Sequence, residues 1–224
     1  MQKELRAQIN SLQLRIKDAS DNTSSKSNDI TVIAVSKKKT LDHIKCAYDI
    51  GVRNFGENYA QELEEKAKHL RLENIIWHFI GPLQSNKAKS ISANANWIHS
   101  LDREKIANKV NAECSNLNKK INGCIQVNIS EEPSKSGLKP EELLDYADHI
   151  KSLENIDLKG IMVLPSLIGD VSEQMMKSKK IHEKLIKSYP NAKYLSMGTT
   201  NDFESAIKFG SNMIRVGELI FGKR

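Results

Sequence analysis

Thr31-Val32-Ile33-Ala34-Val35-Ser36-Lys37 is the stretch that decides how this chain folds, a β-branched apolar run that stops abruptly at a hydroxyl and an amine. Unbroken apolar character over so few residues marks a strand buried on both faces, as in a parallel sheet. In the wall of a barrel, the C-terminal tip of such a strand opens onto the face where these folds keep their chemistry. An amine held there loses hydration, which lowers its pKa toward that of a usable nucleophile and suits it to forming an imine with an aldehyde. Taken alone, Lys37 reads more readily as the start of a solvated Lys37-Lys38-Lys39 turn, so the rest of the chain has to choose.

Working outward, the pattern of that strand recurs. Strands are expected at about Ile30 to Ser36, Val52 to Gly56, Ile75 to Gly81 and Trp97 to Ser100. Four more are expected at Ile121 to Ile129, Ile156 to Leu164, Lys193 to Ser196 and Asn212 to Gly217. Helical spacing fills the intervals: Thr40 to Ile50, Glu57 to Leu70, about Asn86 to Ser92, Asp102 to Leu117, Pro140 to Leu153, Val171 to Ser188 and Asp202 to Phe209. Before the first strand, Gln2 to Ala19 carries Leu5, Ile9, Leu12, Leu14 and Ile16 as a stripe, followed by a polar linker from Ser20 to Asp29. Eight strands separated by helices predict a (β/α)8 TIM barrel with an additional N-terminal helix, in a single domain over residues 1–224. An open doubly wound sheet is the competing architecture, because alternation alone does not prove closure.

Composition narrows the function. The chain has 224 residues, enough to bury roughly 70% of its unfolded surface. It has no run of 18 apolar residues, and a charged, helical N-terminus that reads as neither signal peptide nor membrane anchor. Three separated cysteines, Cys46, Cys114 and Cys124, cannot form a closed disulfide set and point to a reducing, cytoplasmic setting. His43 and Cys46 are too few ligands for a zinc site, and no metal is expected. The formal charge of +6 attracts phosphate. Its lysines alternate with acids, as in Glu62-Leu63-Glu64-Glu65-Lys66-Ala67-Lys68, so no nucleic-acid partner is expected.

The last two strand ends predict an anion site. Ser196-Met197-Gly198-Thr199-Thr200 offers hydroxyls and a glycine beside the start of a helix, and Arg215-Val216-Gly217 adds a fixed charge and a second glycine. Barrels often hold phosphate after strands seven and eight. Together with Lys37 these residues point to a phosphate-bearing aldehyde. Asn58, His78 and Asn86 are candidate polar residues around the same face, and strand alternation turns His78 away from Trp77 and Phe79. Glu218 would repel a dianion if turned inward, so it is expected to point away or to pair with Arg215.

Several motifs, in order along the chain, resemble the pyridoxal phosphate homeostasis protein family. They are Ala34-Val35-Ser36-Lys37, Asn54-Phe55-Gly56-Glu57-Asn58-Tyr59 and His78-Phe79-Ile80-Gly81-Pro82-Leu83-Gln84-Ser85-Asn86-Lys87, then Ser134-Lys135-Ser136-Gly137, Ser196-Met197-Gly198, and Arg215-Val216-Gly217 with Ile220-Phe221-Gly222. The resemblance implies an alanine-racemase-like barrel that carries pyridoxal 5′-phosphate (PLP) as a Schiff base on Lys37. It implies phosphate recognition through Ser196 to Thr200 and Arg215 to Gly217, and a part in vitamin B6 and amino-acid homeostasis rather than turnover. Thr199 and Glu218 depart from the family pattern of methionine and of threonine or serine.

Three functions follow as expectations. The first is reversible PLP binding by a monomer, with PLP-dependent apo-enzymes as recipients and Lys135, in the Ser130 to Gly137 loop, contacting the cofactor or a partner. The second is an amino-acid racemase or related α-carbon enzyme. The two-domain racemases that the barrel resembles add a β domain and a tyrosine delivered across a dimer, for which this chain has no length left. The third is a barrel that binds a phosphate metabolite without covalent attachment, which leaves Lys37 unexplained.

Overall fold

The computed structural model describes residues 1–21, 23, 27–166 and 169–222. Eight parallel strands close into a barrel in sequence order, so the closed architecture is the one adopted. The strands are β1 Thr31–Val35, β2 Asn54–Glu57, β3 Ile76–Phe79, β4 Trp97–Leu101, β5 Ile121–Val127, β6 Ile156–Val163, β7 Tyr194–Ser196 and β8 Met213–Val216. β1 pairs with both β2 and β8, from Thr31↔Met213 to Ala34↔Val216 on one side and Val35↔Gly56 on the other. That closure brings the tip of β1 beside the end of β8, which is why residues 37 and 215 share a neighbourhood.

The helices are α1 Gln2–Ser20, α2 Leu41–Asp49, α3 Ala60–His69, α4 Ala88–Asn94, α5 Glu104–Asn116, α6 Leu143–Lys151, α7 Val171–Ser188, α8 Phe203–Lys208 and α9 Glu218–Phe221. From α2 to α8 each turns an apolar stripe onto the outside of the barrel, with Ile44, Leu63, Ile91, Val110, Ile150, Leu185 and Ile207 fully enclosed. Burying one such side chain stabilises the fold by about 1.5–3 kcal/mol, so this layer supplies most of the drive to close the wall. α7 has the bounds its periodicity predicts, and Asp170 caps it by accepting from the Ser172 and Glu173 amides.

Some boundaries differ from the sequence-based expectation for identifiable reasons. Glu57 ends β2, in register with Phe79, and does not open a helix. Its carboxylate is drawn to Lys66, and α3 begins only at Ala60. In α1, Leu5, Leu12, Ile16 and Ala19 form the buried stripe, packed on α8 and α9. Leu14 is 64% exposed, because two positions from Leu12 is the opposite side of a helix. The segment after β8 is not merely terminal chain but the short helix α9. The linker expected from Ser20 to Asp29 lies partly outside the described residues, and Ser27–Asp29 forms a single 3₁₀ turn. No described helix is long and apolar enough to cross a membrane.

Candidate functional site

Strand alternation assigns the side chains at the tip of β1. Ile33 and Val35 face the barrel interior, where a Cβ on Gly56 would lie 2.8 Å from Ile33 Cγ2 and 3.7 Å from Val35 Cγ2. By the same period Lys37 belongs to the inner side and Ser36 to the outer. The outer side is a buried polar anchor. The Ser36 hydroxyl donates to Glu57 Oε1 at 2.6 Å, and Lys66 Nζ donates to Glu57 Oε1 and to the Ser36 carbonyl, each at 2.8 Å. Lys66 also reaches Glu62 at 2.7 Å, and Glu62 accepts the Lys38 amide at 2.7 Å. Lys38 takes φ +61°, and the Lys39 amide closes the turn onto the Ser36 carbonyl at 3.0 Å. The turn that presents Lys37 is therefore fixed from behind.

Burial pushes the Glu57 carboxyl up despite Lys66 and Ser36. Burial also pushes Glu62 up, but hydrogen bonds from Lys66 and the Lys38 amide outweigh it and leave that carboxyl below its ordinary value. The difference follows depth, since Glu57 is wholly enclosed and Glu62 sits at the rim.

At the C-terminal mouth lies a cavity of about 280 Å³, whose wall includes Val35, Lys37, Lys39, Asn58, Ile80, Thr199, Thr200, Arg215, Gly217 and Glu218. Six expected site residues, Lys37, Asn58, Thr199, Thr200, Arg215 and Gly217, thus meet on one surface. Asn58 Oδ1 is buried with no hydrogen-bond partner. Its backbone is held close by Gly81, where a Cβ would stand 2.0 Å from the Asn58 carbonyl oxygen.

Thr199 has both donors engaged by Asp202: the amide at 2.6 Å and the hydroxyl at 2.8 Å reach the same carboxylate oxygen. Gly198, at φ +97°, lies beneath the wall, where a Cβ would fall 2.7 Å from Ala206 Cβ. Its role is to let the loop lie against α8. A second cavity of about 230 Å³ shares Asn58, Ile80 and Leu164 with the first and contains Lys135. Lys135 pairs with Glu132 at 3.1 Å there, so it borders an annex rather than the main cavity. Asn86 is exposed in the 3₁₀ turn Ser85–Lys87 and lines neither.

His78 and Ser196 lie below the cavity floor, in the barrel interior. His78 Nε2 meets Asn54 Oδ1 at 2.9 Å and its Nδ1 meets His99 Nε2 at 3.0 Å. His99 Nδ1 meets Ser196 Oγ at 3.0 Å, and Arg215 Nη1 donates to that hydroxyl at 2.6 Å. Arg215 Nη2 donates to the Val163 carbonyl at 3.0 Å. His78 and Ser196 thus stand outside the cavity lining, each engaged with polar neighbours in the barrel interior. Burial holds His78 down to about 3, and burial followed by the neighbouring His78 and Arg215 holds His99 well below its usual range.

Arg215 is 5% exposed, and no ion pair to it forms among the described residues. Of the two arrangements expected for Glu218, pointing away or pairing with Arg215, no pair to Arg215 forms among the described residues, and Glu218 is an exposed residue of the cavity wall. Burial pulls the guanidinium down to about 10, with Asp202 opposing. Three residues were missed in the sequence. Lys39, two past Lys37, joins the wall while its ammonium donates to the Phe221 and Gly222 carbonyls at 3.0 and 3.3 Å. Asn54 and His99 complete the interior chain. For His99 the available signal was its two-residue spacing from Trp97, which puts both on the inner face.

Residues 11–224 match the family model of the alanine racemase N-terminal domain. The chain is 41% identical over 223 residues to the pyridoxal phosphate homeostasis protein of Haemophilus influenzae, covering 96% of this chain and 94% of that protein. It is 44% identical over 202 residues to that of Pasteurella multocida, covering 87% of each. Among solved structures it resembles PipY of Synechococcus elongatus PCC7942 with PLP bound, at TM-score 0.82 and 28% identity, covering 97% of this chain and all of that one. An alanine racemase of Clostridium difficile, at TM-score 0.80 and 17% identity, covers 99% of this chain but only 57% of its own and shares the fold alone. With this barrel and this cavity at its mouth, the chain belongs to the pyridoxal phosphate homeostasis protein family.

Proposed function

We propose that this protein binds pyridoxal 5′-phosphate reversibly through the Lys37 amine, as a non-catalytic carrier in vitamin B6 and amino-acid homeostasis. One observation carries the reading: Lys37 and a buried guanidinium without an ion-pair partner, Arg215, lie on the wall of the same cavity. A buried charge is normally balanced, so an anionic ligand is the missing counterpart. The residues present also fit in detail, because Asn58 Oδ1 is an unmatched buried acceptor and Lys39 adds a second ammonium to the wall.

When bound, the cofactor supplies an aldehyde and a conjugated electron sink. Lys37 would hold the cofactor through its aldehyde carbon, the carbonyl oxygen leaving as water. Arg215 and Lys39 offset the negative charge, Thr200 and Gly217 line its approach, and Val35 and Ile80 present apolar surface that limits water. Thr199 acts through Asp202, and Gly198 and Ser196 shape and orient the wall from beneath. The carrier works as a one-domain cytoplasmic monomer, with Lys135 at the annex and PLP-dependent apo-enzymes as recipients.

The test is borohydride reduction of protein saturated with PLP, followed by peptide mass spectrometry. An adduct on Lys37 that Lys37→Ala abolishes is expected. Saturation that leaves no adduct there would transfer the weight to non-covalent binding of a phosphate metabolite.

A further inference from the structure

The five polar residues that cross the barrel interior allow one consistent arrangement of protons. Asn54 Oδ1 can only accept, so His78 Nε2 carries the proton between them at 2.9 Å. A neutral His78 then leaves Nδ1 as an acceptor, and His99 Nε2 donates to it at 3.0 Å. His99 Nδ1 in turn accepts the Ser196 hydroxyl proton at 3.0 Å. With its proton so directed, Ser196 Oγ offers a lone pair to Arg215 Nη1 at 2.6 Å. Because Asn54 Oδ1 at one end only accepts and Arg215 at the other only donates, the sequence of bonds runs one way, from Arg215 to Asn54. His78, His99 and Ser196 are each at most 1% exposed, so no solvent competes for these bonds. Burial keeps both imidazoles neutral, as the arrangement requires.

We propose that Asn54, His78, His99 and Ser196 are positioning residues for the ligand: a one-way hydrogen-bond relay, fixed in the Nε2–H tautomer at both histidines, that holds the Arg215 guanidinium toward the cavity. Two of its N–H groups are committed, one to Ser196 and one to the Val163 carbonyl on β6. These two anchors define the plane of the guanidinium, and its three remaining N–H groups are left to serve the cavity side. None of His78, His99 and Asn54 lines the cavity, so their influence on binding passes through Arg215. The proposal rests on the cofactor reading above for the identity of the ligand, but not for the direction of the relay.

Two measurements test it. In ¹⁵N-resolved NMR of the whole protein at neutral pH, His78 and His99 are both expected as neutral Nε2–H tautomers. Ser196→Ala, at one end of the relay, is expected to shift the His78 Nδ1 resonance although Ser196 does not touch that ring. An Nδ1–H tautomer or an imidazolium at either position overturns the relay. In PLP titrations, His78→Leu is expected to raise the Kd about tenfold, the size of one lost buried hydrogen bond. His78→Gln, whose amide N–H can donate to Asn54 while its oxygen accepts from His99, is expected to restore most of that loss. Equal affinities for the folded Leu and Gln variants would overturn the positioning role. Should His78→Leu not fold, Ser196→Ala takes its place, with the same tenfold loss expected and an unchanged Kd counting against the proposal. If the unaltered protein fails to bind PLP at all, the cofactor reading falls, and the tautomers alone decide the relay.

Discussion

Glu57 and Lys66 form a buried ion pair, Oε1 to Nζ at 2.8 Å, directly behind the strand tip that carries Lys37. Lys66 is the only cation in the ion pairs recorded for Glu57 and Glu62 among the described residues, and it also holds the Ser36 carbonyl. Lys66→Met therefore strands two carboxylates and loosens the turn. Removing one partner of such a pair costs about 3–5 kcal/mol, which urea unfolding should register as a fall in midpoint at unchanged slope. Glu57→Gln combined with Lys66→Met removes both charges and is expected to recover much of that loss. A single substitution with less effect than the double would show that the pair does not anchor the turn.

Arg215→Met makes the opposite prediction for stability. The guanidinium is buried without an ion pair, so removing it relieves a desolvation cost that offsets the donors lost to Ser196 and the Val163 carbonyl, and the ligand-free protein is expected to keep about its parent stability. PLP affinity is expected to fall at least tenfold in the same variant. Thermal unfolding with and without PLP separates the two effects, because the same PLP concentration should raise the Tm of the parent more than that of Arg215→Met. A large loss of stability without ligand would mean that the protein itself balances this charge.

The alternation of strands and helices was legible because buried parallel strands are nearly continuous apolar runs, and a stretch such as Val32 to Val35 has little else to become. The order in which strands close, and hence the meeting of Lys37 with Arg215, followed from counting to eight. What escaped was depth. Alternation correctly turned His78 inward, but where it sits along the barrel axis depends on the stagger between strands, which no single strand encodes. The long side chain of Arg215 reaches both the interior relay and the mouth for the same reason. Lys39 looked like part of a solvated turn because its carbonyl partners lie 182 and 183 residues away in sequence. Glu57 looked like a helix-opening acid until Lys66, nine residues on, drew it into β2.

Acid sensitivity follows from three buried histidines. His78 is held at about 3, His99 well below the ordinary value of 6.5, and His182 also below it, in each case by burial first. His182 Nε2 meets the Ala192 carbonyl at 3.0 Å. Below 6.5 the unfolded chain takes up protons at these positions and the folded chain does not, so stability falls as pH drops. Each histidine contributes a slope of up to about 1.4 kcal/mol per pH unit. Glu57 and Asp102, both raised by burial, bind protons preferentially in the folded state and oppose the fall nearer the carboxylate range. Urea midpoints should therefore fall with increasing steepness as pH drops from 6.5 to about 5, and His78→Gln should flatten that slope by about one third. A pH-independent midpoint across that interval would show that these rings are not buried as neutral groups.

Glu218 places a carboxylate on the wall of the site. It shares the cavity wall with Lys37, Lys39 and Arg215, and no ion pair joins it to Lys39 or Arg215 among the described residues. A carboxylate beside a doubly charged phosphate raises the free energy of the bound state, and at a half-exposed wall screening reduces this to a modest penalty. Glu218→Gln keeps the size and removes the charge, so PLP is expected to bind about three- to tenfold more tightly and the gain to shrink at high salt. Pyridoxal, which has the aldehyde but no phosphate, is the control and should bind both proteins equally. A gain of the same size for pyridoxal would place Glu218 near the ring rather than the phosphate, and no gain for either would remove it from the site. If the gain is confined to PLP, this carboxylate sets how readily the carrier gives up its cargo.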